Sequence, residues 1–316
     1  MSASADPFLA QYRSRWSDRA LVRNRKPKPD LTGADSADFF PIGRQPLMSH
    51  PKVMDLPDDD HRTVLIQSCY KYMNDIAMTE MDPVIECTMR VANGGMSVRF
   101  PALYQNIALT VVVDESYHAL VAREYMDAVE AATGIAPLPM PQSTDLRRAA
   151  AEAKATLPDR LHDGFDVITV CIAENTLTRE IVELLRASPD ETPFGIAVRE
   201  HLADEAQHCG FFTRLLKHYW SGLDAADRDA LGERLVPFIR TYLSTATEEA
   251  FAGRILDALG FSEDDRAGIV AEVYGSYEVG AWHPMVLSIG DLLTGSGVLA
   301  WPSVRERLQE AALVRT

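Results

Sequence analysis

An all-α fold is what the sequence predicts, and three features carry the prediction. Apolar residues recur three and four positions apart over several long stretches, the period of a helix with one buried face. Prolines and glycines stand at the ends of those stretches, where helices start and stop. No segment shows the strict alternation of a half-buried strand, and no repeat of 20–50 residues marks a solenoid.

Taken in chain order, residues 1–50 differ from the rest. Arg13, Arg15, Arg19, Arg23, Arg25, Lys26 and Lys28 crowd a stretch without evident helical periodicity, and Pro27, Pro29 and Pro41 follow among and after them. This predicts an extended basic arm lying across an acidic body or a partner subunit. Residues 51–316 read as a single helical domain with its bundle core at about 60–220. Asp58 to Asp60 are placed to cap a first helix carrying Val64, Leu65, Cys69, Tyr72 and Met73. Pro83 cannot donate to the carbonyl of Thr79, so a kink is expected beside Glu80.

Pro101 opens a second long helix through Leu103, Ile107, Val111 and His118, and Gly134 closes it before a proline-rich loop from Pro137 to Pro141. A third runs from about His162 to Ala187, stopping before Pro189, and a fourth from Pro193 to Trp220, stopping near Gly222. Further helices are expected over 224–259, 263–280 and 302–313. Gly275, Gly280, Gly290, Gly295 and Gly297 leave the intervening region unassigned.

The composition is that of a globular chain: 316 residues, 47% hydrophobic and 24% charged. The formal charge of -15 argues against a nucleic-acid partner, whose phosphates it would repel. There is no apolar signal core and no uninterrupted apolar run long enough to cross a bilayer, so a cytoplasmic location without membrane attachment is expected. Cys69, Cys87, Cys171 and Cys209 lack metal-site or disulfide-scaffold spacing and read as reduced thiols filling the core.

The chemistry is carried by a repeated phrase. Asp114-Glu115-Ser116-Tyr117-His118 and Asp204-Glu205-Ala206-Gln207-His208 both read Asp-Glu-x-x-His inside expected helices. Positions i and i+3 share a helical face, so each Glu and His can reach one point in the interior. One Glu-x-x-His pair is ordinary helix-surface composition. Two pairs bracketed by apolar residues, together with Glu80 in Ile76-Ala77-Met78-Thr79-Glu80-Met81 and Glu174 in Val170-Cys171-Ile172-Ala173-Glu174-Asn175, are not. An unpaired buried carboxylate is costly, so each of these glutamates should lie near the surface, be neutralised or bind a cation. The order Glu, Glu-x-x-His, Glu, Glu-x-x-His on four successive helices is the donor set of ferritin-like di-metal carboxylate bundles.

Asp114 and Asp204, one residue off the inward face, are placed to accept the second N–H of a histidine on the neighbouring helix. His201 precedes Glu205 by four residues and His208 by seven, which adds a third imidazole to the same face. Carboxylates with a few imidazoles suit iron or manganese, and the absence of a cysteine set disfavours structural zinc or an iron–sulfur cluster. Two adjacent metals can share and reduce O2, for which iron is the natural choice.

These residues resemble the p-aminobenzoate N-oxygenases, di-iron enzymes that oxidise amine nitrogen in natural-product pathways. The likeness is carried by Thr79-Glu80, by Val113 to His118, by Ala173-Glu174 and by His201 to His208, and it spans about 60–220. The resemblance implies seven iron ligands: Glu80, Glu115, His118, Glu174, His201, Glu205 and His208. His201 separates it from ribonucleotide reductase small subunits and ferritins, which lack that histidine. It further implies two iron ions that bind O2 as a peroxo-diferric species, an external electron donor, and a small amine taken to hydroxylamine, nitroso or nitro product. Tyr72-Met73-Asn74-Asp75, ahead of Glu80, offers no base to pair with a substrate carboxylate, which leaves Arg90, Arg99, Arg123 and Arg179 as candidates for that role. The rival expectations are a C–H hydroxylase or desaturase on the same centre and a ferritin-like iron-storage protein. A homodimer and an electron-donor protein are the expected partners.

Overall fold

The computed structural model describes residues 6–24, 31, 33–187 and 192–315. The fold is 77% helical, with no strand among the described residues. In chain order the helices are α1 (Pro7–Arg19), α2 (Ser36–Phe39), α3 (Pro51–Met54), α4 (Asp58–Thr79), a π-helical segment (Glu80–Val84), α5 (Ile85–Asn93), α6 (Ala102–Thr133), α7 (Asp145–Lys154), α8 (His162–Ala187), α9 (Pro193–Ser221), α10 (Ala225–Gly232), α11 (Leu235–Tyr242), α12 (Ala246–Ala258), α13 (Glu263–Tyr274), α14 (Pro284–Gly295) and α15 (Pro302–Glu310).

The bundle is made by α4, α6, α8 and α9. The long helices α4 and α6 pack together, α8 packs on α9, and α6 on α9 joins the two pairs. Local chemistry sets their ends. Pro57, not the aspartates after it, caps α4, while Asp58, Asp59 and Asp60 fill the first turn, where the positive end of the helix dipole favours them. Gly134 ends α6 at φ 71°, a left-handed conformation that glycine adopts without a Cβ clash. Thr192 caps α9 by accepting from the Gly195 N–H at 3.0 Å. The expected kink at Pro83 is a π-helical turn, with Asp82 at φ -153° and ψ 104°. The ring of Pro83 drives the residue before it into extended geometry, and the released turn rotates Glu80 into the interior.

The N-terminal region is not extended where it is described. Phe8, Tyr12 and Trp16 recur four residues apart on α1, a periodicity that the exposed arginines Arg13, Arg15 and Arg19 obscure in the sequence. Leu9 and Tyr12 are buried against the bundle, and α1 lies across α6 and α9. Arg214 of α9 holds this helix twice, by an ion pair to Asp6 at 2.7 Å and by its guanidinium 4.1 Å from the Phe8 ring centre. Arg25, Lys26, Lys28, Pro27 and Pro29 of the expected arm lie outside the described residues, as does Pro189.

Beyond the bundle the helix boundaries differ from expectation. The stretch 224–259 is three helices; Pro237, which cannot donate to the carbonyl of Glu233 and whose ring would clash there, accounts for the break between α10 and α11. The helix expected over 263–280 ends at Tyr274, and the last one ends at Glu310. Besides α1 and the short α2 and α3, the sequence did not predict α7, capped by Thr144, or α14, which opens with Pro284 and packs along α8.

A Cβ built on Gly210 would stand 2.3 Å from Cζ of Phe8, so α9 needs a glycine where α1 crosses it. Gly210→Ala is expected to destabilise the protein by about 1–3 kcal/mol through overpacking. The measurement is the urea midpoint, with Phe8→Ala in the same chain restoring part of the loss. An unchanged midpoint in the single variant would show that α1 does not pack there.

Candidate metal centre

The polar residues singled out in the sequence occupy one layer of the bundle, between two apolar layers. On α6 the lower cluster contains Ile107, Ala108 and Val111 and the upper one Ala119, Ala122 and Tyr125; Glu115 and His118 fall between. Glu174 lies between Ala173 and Leu177 on α8, and His201 to His208 between Val198 and Phe211 on α9. Glu80 stands between Ala77 and Val84 at the π-helical turn. Four elements thus interrupt their apolar faces at one level.

Every member of that layer is buried: Glu80, Glu115 and Glu205 show no exposed surface, and Glu174, His118, His201 and His208 at most 7%. They form two groups, each with one donor atom per residue within 4.8 Å of the others. One group is Glu80, Glu115, His118, His201 and Glu205; the other is Glu115, Glu174, Glu205 and His208. Glu115 and Glu205 belong to both. His208 Nδ1 lies 2.6 Å from Glu115 Oε1, and His118 Nδ1 lies 3.4 Å from carboxylate oxygens of both Glu115 and Glu205. His201 presents Nε2 instead, 2.8 Å from Glu205 Oε1 and 3.0 Å from Glu80 Oε1.

The donor atoms lack the partners that a structural network would give them. Both carboxylate oxygens of Glu80, Glu115 and Glu174, one of Glu205, and Nδ1 of His118 and His208 are buried without a well-formed hydrogen bond. Each unpartnered buried charge costs several kcal/mol, against a total stability of about 5–15 kcal/mol for a folded domain. Four glutamates at one point therefore require neutralisation. Without a metal, protons have to supply it. Burial pushes Glu80 up to about 7 against the pull of His201, and burial together with Glu115 and Glu205 pushes Glu174 well above the carboxylate range. Burial opposes the charged form of His201, yet the surrounding carboxylates raise it to about 9. In His118 and His208 the carboxylate contacts likewise outweigh burial and hold the imidazoles well above their ordinary value. A dication pair with the same four carboxylates would replace those protons, so the donor set fits two divalent metals.

Asp114 and Asp204 each reach the other helix, as expected. His118 donates Nε2–H to Asp204 Oδ2 at 3.2 Å, and His208 donates Nε2–H to Asp114 Oδ2 at 3.3 Å. Each bond leaves Nδ1 as the free nitrogen facing the glutamates. Residues that sequence reasoning missed complete the arrangement. The Trp16 indole N–H donates to Asp114 at 2.7–2.8 Å, and the Leu21 backbone N–H donates to Asp204 Oδ2 at 3.0 Å. Both come from the N-terminal segment, Trp16 from α1 and Leu21 from the turn after it, so the stretch expected to be an extended arm fixes the two aspartates that reach the histidines.

Beside this layer, between α4 and α8, lies a cavity of about 490 Å³. Thr79 and Ala173, the neighbours of Glu80 and Glu174, line its inner end. None of the arginines considered for a substrate carboxylate lines it: Arg90 pairs with Asp163 and Asp166, Arg179 with Glu183, and Arg123 lies against Met81. The four cysteines are free thiols, and burial raises Cys69 and Cys171 far above the thiolate range. No described helix is long and apolar enough to cross a membrane.

Ferrous iron added without oxygen is expected to raise the thermal midpoint by at least about 5 °C, because a ligand held only by the folded state stabilises it. A chelator should reverse the shift. A midpoint unmoved by ferrous or manganous ions would mean that the glutamates are neutralised by protons alone.

No curated protein matches the chain. The family described as P-aminobenzoate N-oxygenase AurF matches residues 13–260, a stretch that runs from α1 to the end of α12 and holds the whole buried layer together with Trp16 and Leu21. With well over half of its length covered by that match, the chain belongs to the p-aminobenzoate N-oxygenase family.

Proposed function

We propose that this protein is a non-haem di-iron oxygenase that N-oxygenates a small amine, either an arylamine or an amino-acid-derived one. The observation that carries the reading is the pair of donor groups sharing Glu115 and Glu205, unpartnered in a dry core and opening beside a cavity of substrate size. Glu80, His118 and His201 would hold one ion, Glu174 and His208 the other, and Glu115 and Glu205 would lie between them. Bound there, iron would supply the electrons that activate O2 and the site at which its oxygen is delivered to nitrogen.

The overall step balances as amine, O2, two electrons and two protons giving hydroxylamine and water, with the electrons coming from an external reductant or donor protein. Repeating the oxidation leads to nitroso and nitro products, and a biosynthetic role in making a natural product is the setting that the family suggests. The chain's own contribution is to place and protect. Asp114 and Asp204 fix the protonated nitrogen of His208 and His118 at Nε2, which keeps Nδ1 directed at the centre. The apolar layers above and below exclude water, so charges in the site are felt at short range and reactive oxygen is not lost to solvent. His201 adds a third imidazole on the side of Glu80, where it can tune one ion differently from the other.

Anaerobic reconstitution with ferrous iron, followed by O2, reductant and a panel of small amines, is expected to give hydroxylamine, nitroso or nitro products by mass spectrometry. Accumulation of ferric mineral with no product would favour storage, and oxidation at carbon would favour a hydroxylase. Glu115→Ala and His208→Ala are each expected to lose most bound iron, measured by metal analysis; full iron content in both would overturn the ligand assignment. His201→Ala should keep iron but alter the rate of its oxidation by O2, and unchanged kinetics would reduce His201 to a packing role.

A further inference from the structure

The cavity beside the centre carries a charge pattern that the reading above does not use. Its lining includes one buried cation, Lys71, which is bound to two carboxylates, Asp75 at 2.6 Å and Glu248. Burial disfavours the Lys71 charge, but those two acids more than compensate and keep it fully protonated. Its charge is therefore spent within the wall. A third carboxylate, Glu180, projects from α8 on the stripe Ala173, Leu177, Glu180 and Leu184, all of which line the cavity. Glu180 makes neither a hydrogen bond nor an ion pair among the described residues. Burial pushes it up to about 7, with Arg44, whose segment packs against α8, pulling the other way. Glu183 also lines the wall but is satisfied by Arg179 and Arg186.

The remaining basic groups do not reverse this balance. Arg44 stands at the exposed rim. His283 is held neutral, because its Nδ1 accepts the Met285 N–H, and burial lowers its pKa. The Tyr72 hydroxyl is buried without a partner, lines the same cavity, and feels the charges of both Glu180 and Glu80. Glu180 follows Glu174 by six residues, a rise of about 9 Å along α8. That is roughly the length of one six-membered ring with a nitrogen group at each end, plus a hydrogen bond.

We infer that the cavity takes a small amine bearing a second, cationic group, which Glu180 anchors at the end away from the metal layer, and that it disfavours an amine bearing a carboxylate. An amidinium, guanidinium or ammonium there would meet the unpaired carboxylate in a charge-assisted pair at the half-buried cavity wall. A benzoate in the same orientation would place two carboxylates against each other. This inference rests on the centre being an amine-oxidising one, but its test needs no turnover.

The probes are 4-aminobenzamidine and 4-aminobenzoate, matched in shape and opposite in charge. Binding is measured by calorimetry on the full chain, as purified and after anaerobic loading with ferrous iron. The amidine is expected to bind at least about tenfold more tightly than the benzoate, and Glu180→Gln should abolish that preference. Because Glu180 is half-buried and Gln keeps its shape while removing a carboxylate without an ion-pair partner, the variant should melt no lower than the parent, which guards against misreading an unfolded protein. The inference is overturned if the benzoate binds as tightly or more tightly, if neither binds, or if the preference survives in Glu180→Gln. Should the amidine bind through Glu180 yet remain unoxidised with iron, O2 and reductant, the charge preference stands and the N-oxygenase reading falls.

Discussion

Four glutamate side chains meet at one point of a dry helical core, and the rest of the molecule is arranged around the problem of holding them there. Carboxylates at such distances repel, and burial raises the energy of each charge further. Left to relax, the bundle would swing them outward. It cannot, because Glu115, Glu174 and Glu205 are fixed on long helices whose apolar residues are locked above and below the polar layer. Glu80 is held by a different device, the π-helical turn that Pro83 forces into the chain. The strain is therefore electrostatic, and cations bound among the carboxylates would relieve it.

That constraint explains which parts of the site were legible in the sequence. Glu115 with His118, and Glu205 with His208, are three residues apart on single helices, so their convergence follows from local geometry alone. Glu80 and Glu174 were legible by a different signal, a charge standing in an otherwise apolar run. The kink was legible because a proline's missing donor acts at a fixed offset. Nothing comparable marks Trp16 or Leu21. Trp16 lies 98 residues from Asp114, and the Leu21 contact is made by a backbone N–H that any residue but proline would offer. Such pairings are set by how α1 lies on the bundle, which the arginine-rich composition of the N-terminus concealed. The periodicity of Phe8, Tyr12 and Trp16 was present but short, and charge was read in its place.

The N-terminal helix gains a functional meaning from this geometry. Asp114 and Asp204 orient His208 and His118, and each aspartate is in turn held by a donor from the first two dozen residues. The orientation of two imidazoles thus depends on an N-terminal segment that packs on the outside of the four bundle helices through Leu9 and Tyr12. Its attachment is concentrated at Phe8 and Asp6 against Arg214, and at Gly210, where close approach leaves no space for a side chain. A loosened α1 would release both aspartates together, since the same segment carries both donors.

The metal-donor positions and the cavity lining occupy different stripes of the same helices. On α8 the metal-facing position is Glu174, while the cavity-facing stripe is Ala173, Leu177, Glu180 and Leu184. On α4 the cavity takes Lys71, Tyr72 and Asp75, all before the turn that delivers Glu80. A substitution at Glu180 changes the charge of the cavity wall without moving a donor atom, because about one and two-thirds helical turns separate it from Glu174. The donor set is tied to its positions by four mutually dependent carboxylates and tolerates little change. The cavity wall is bound by no such mutual requirement, since Lys71 satisfies its own two acids and leaves Glu180 free to meet whatever enters. Family membership accordingly predicts the chemistry of the centre far better than it predicts the charge of the substrate.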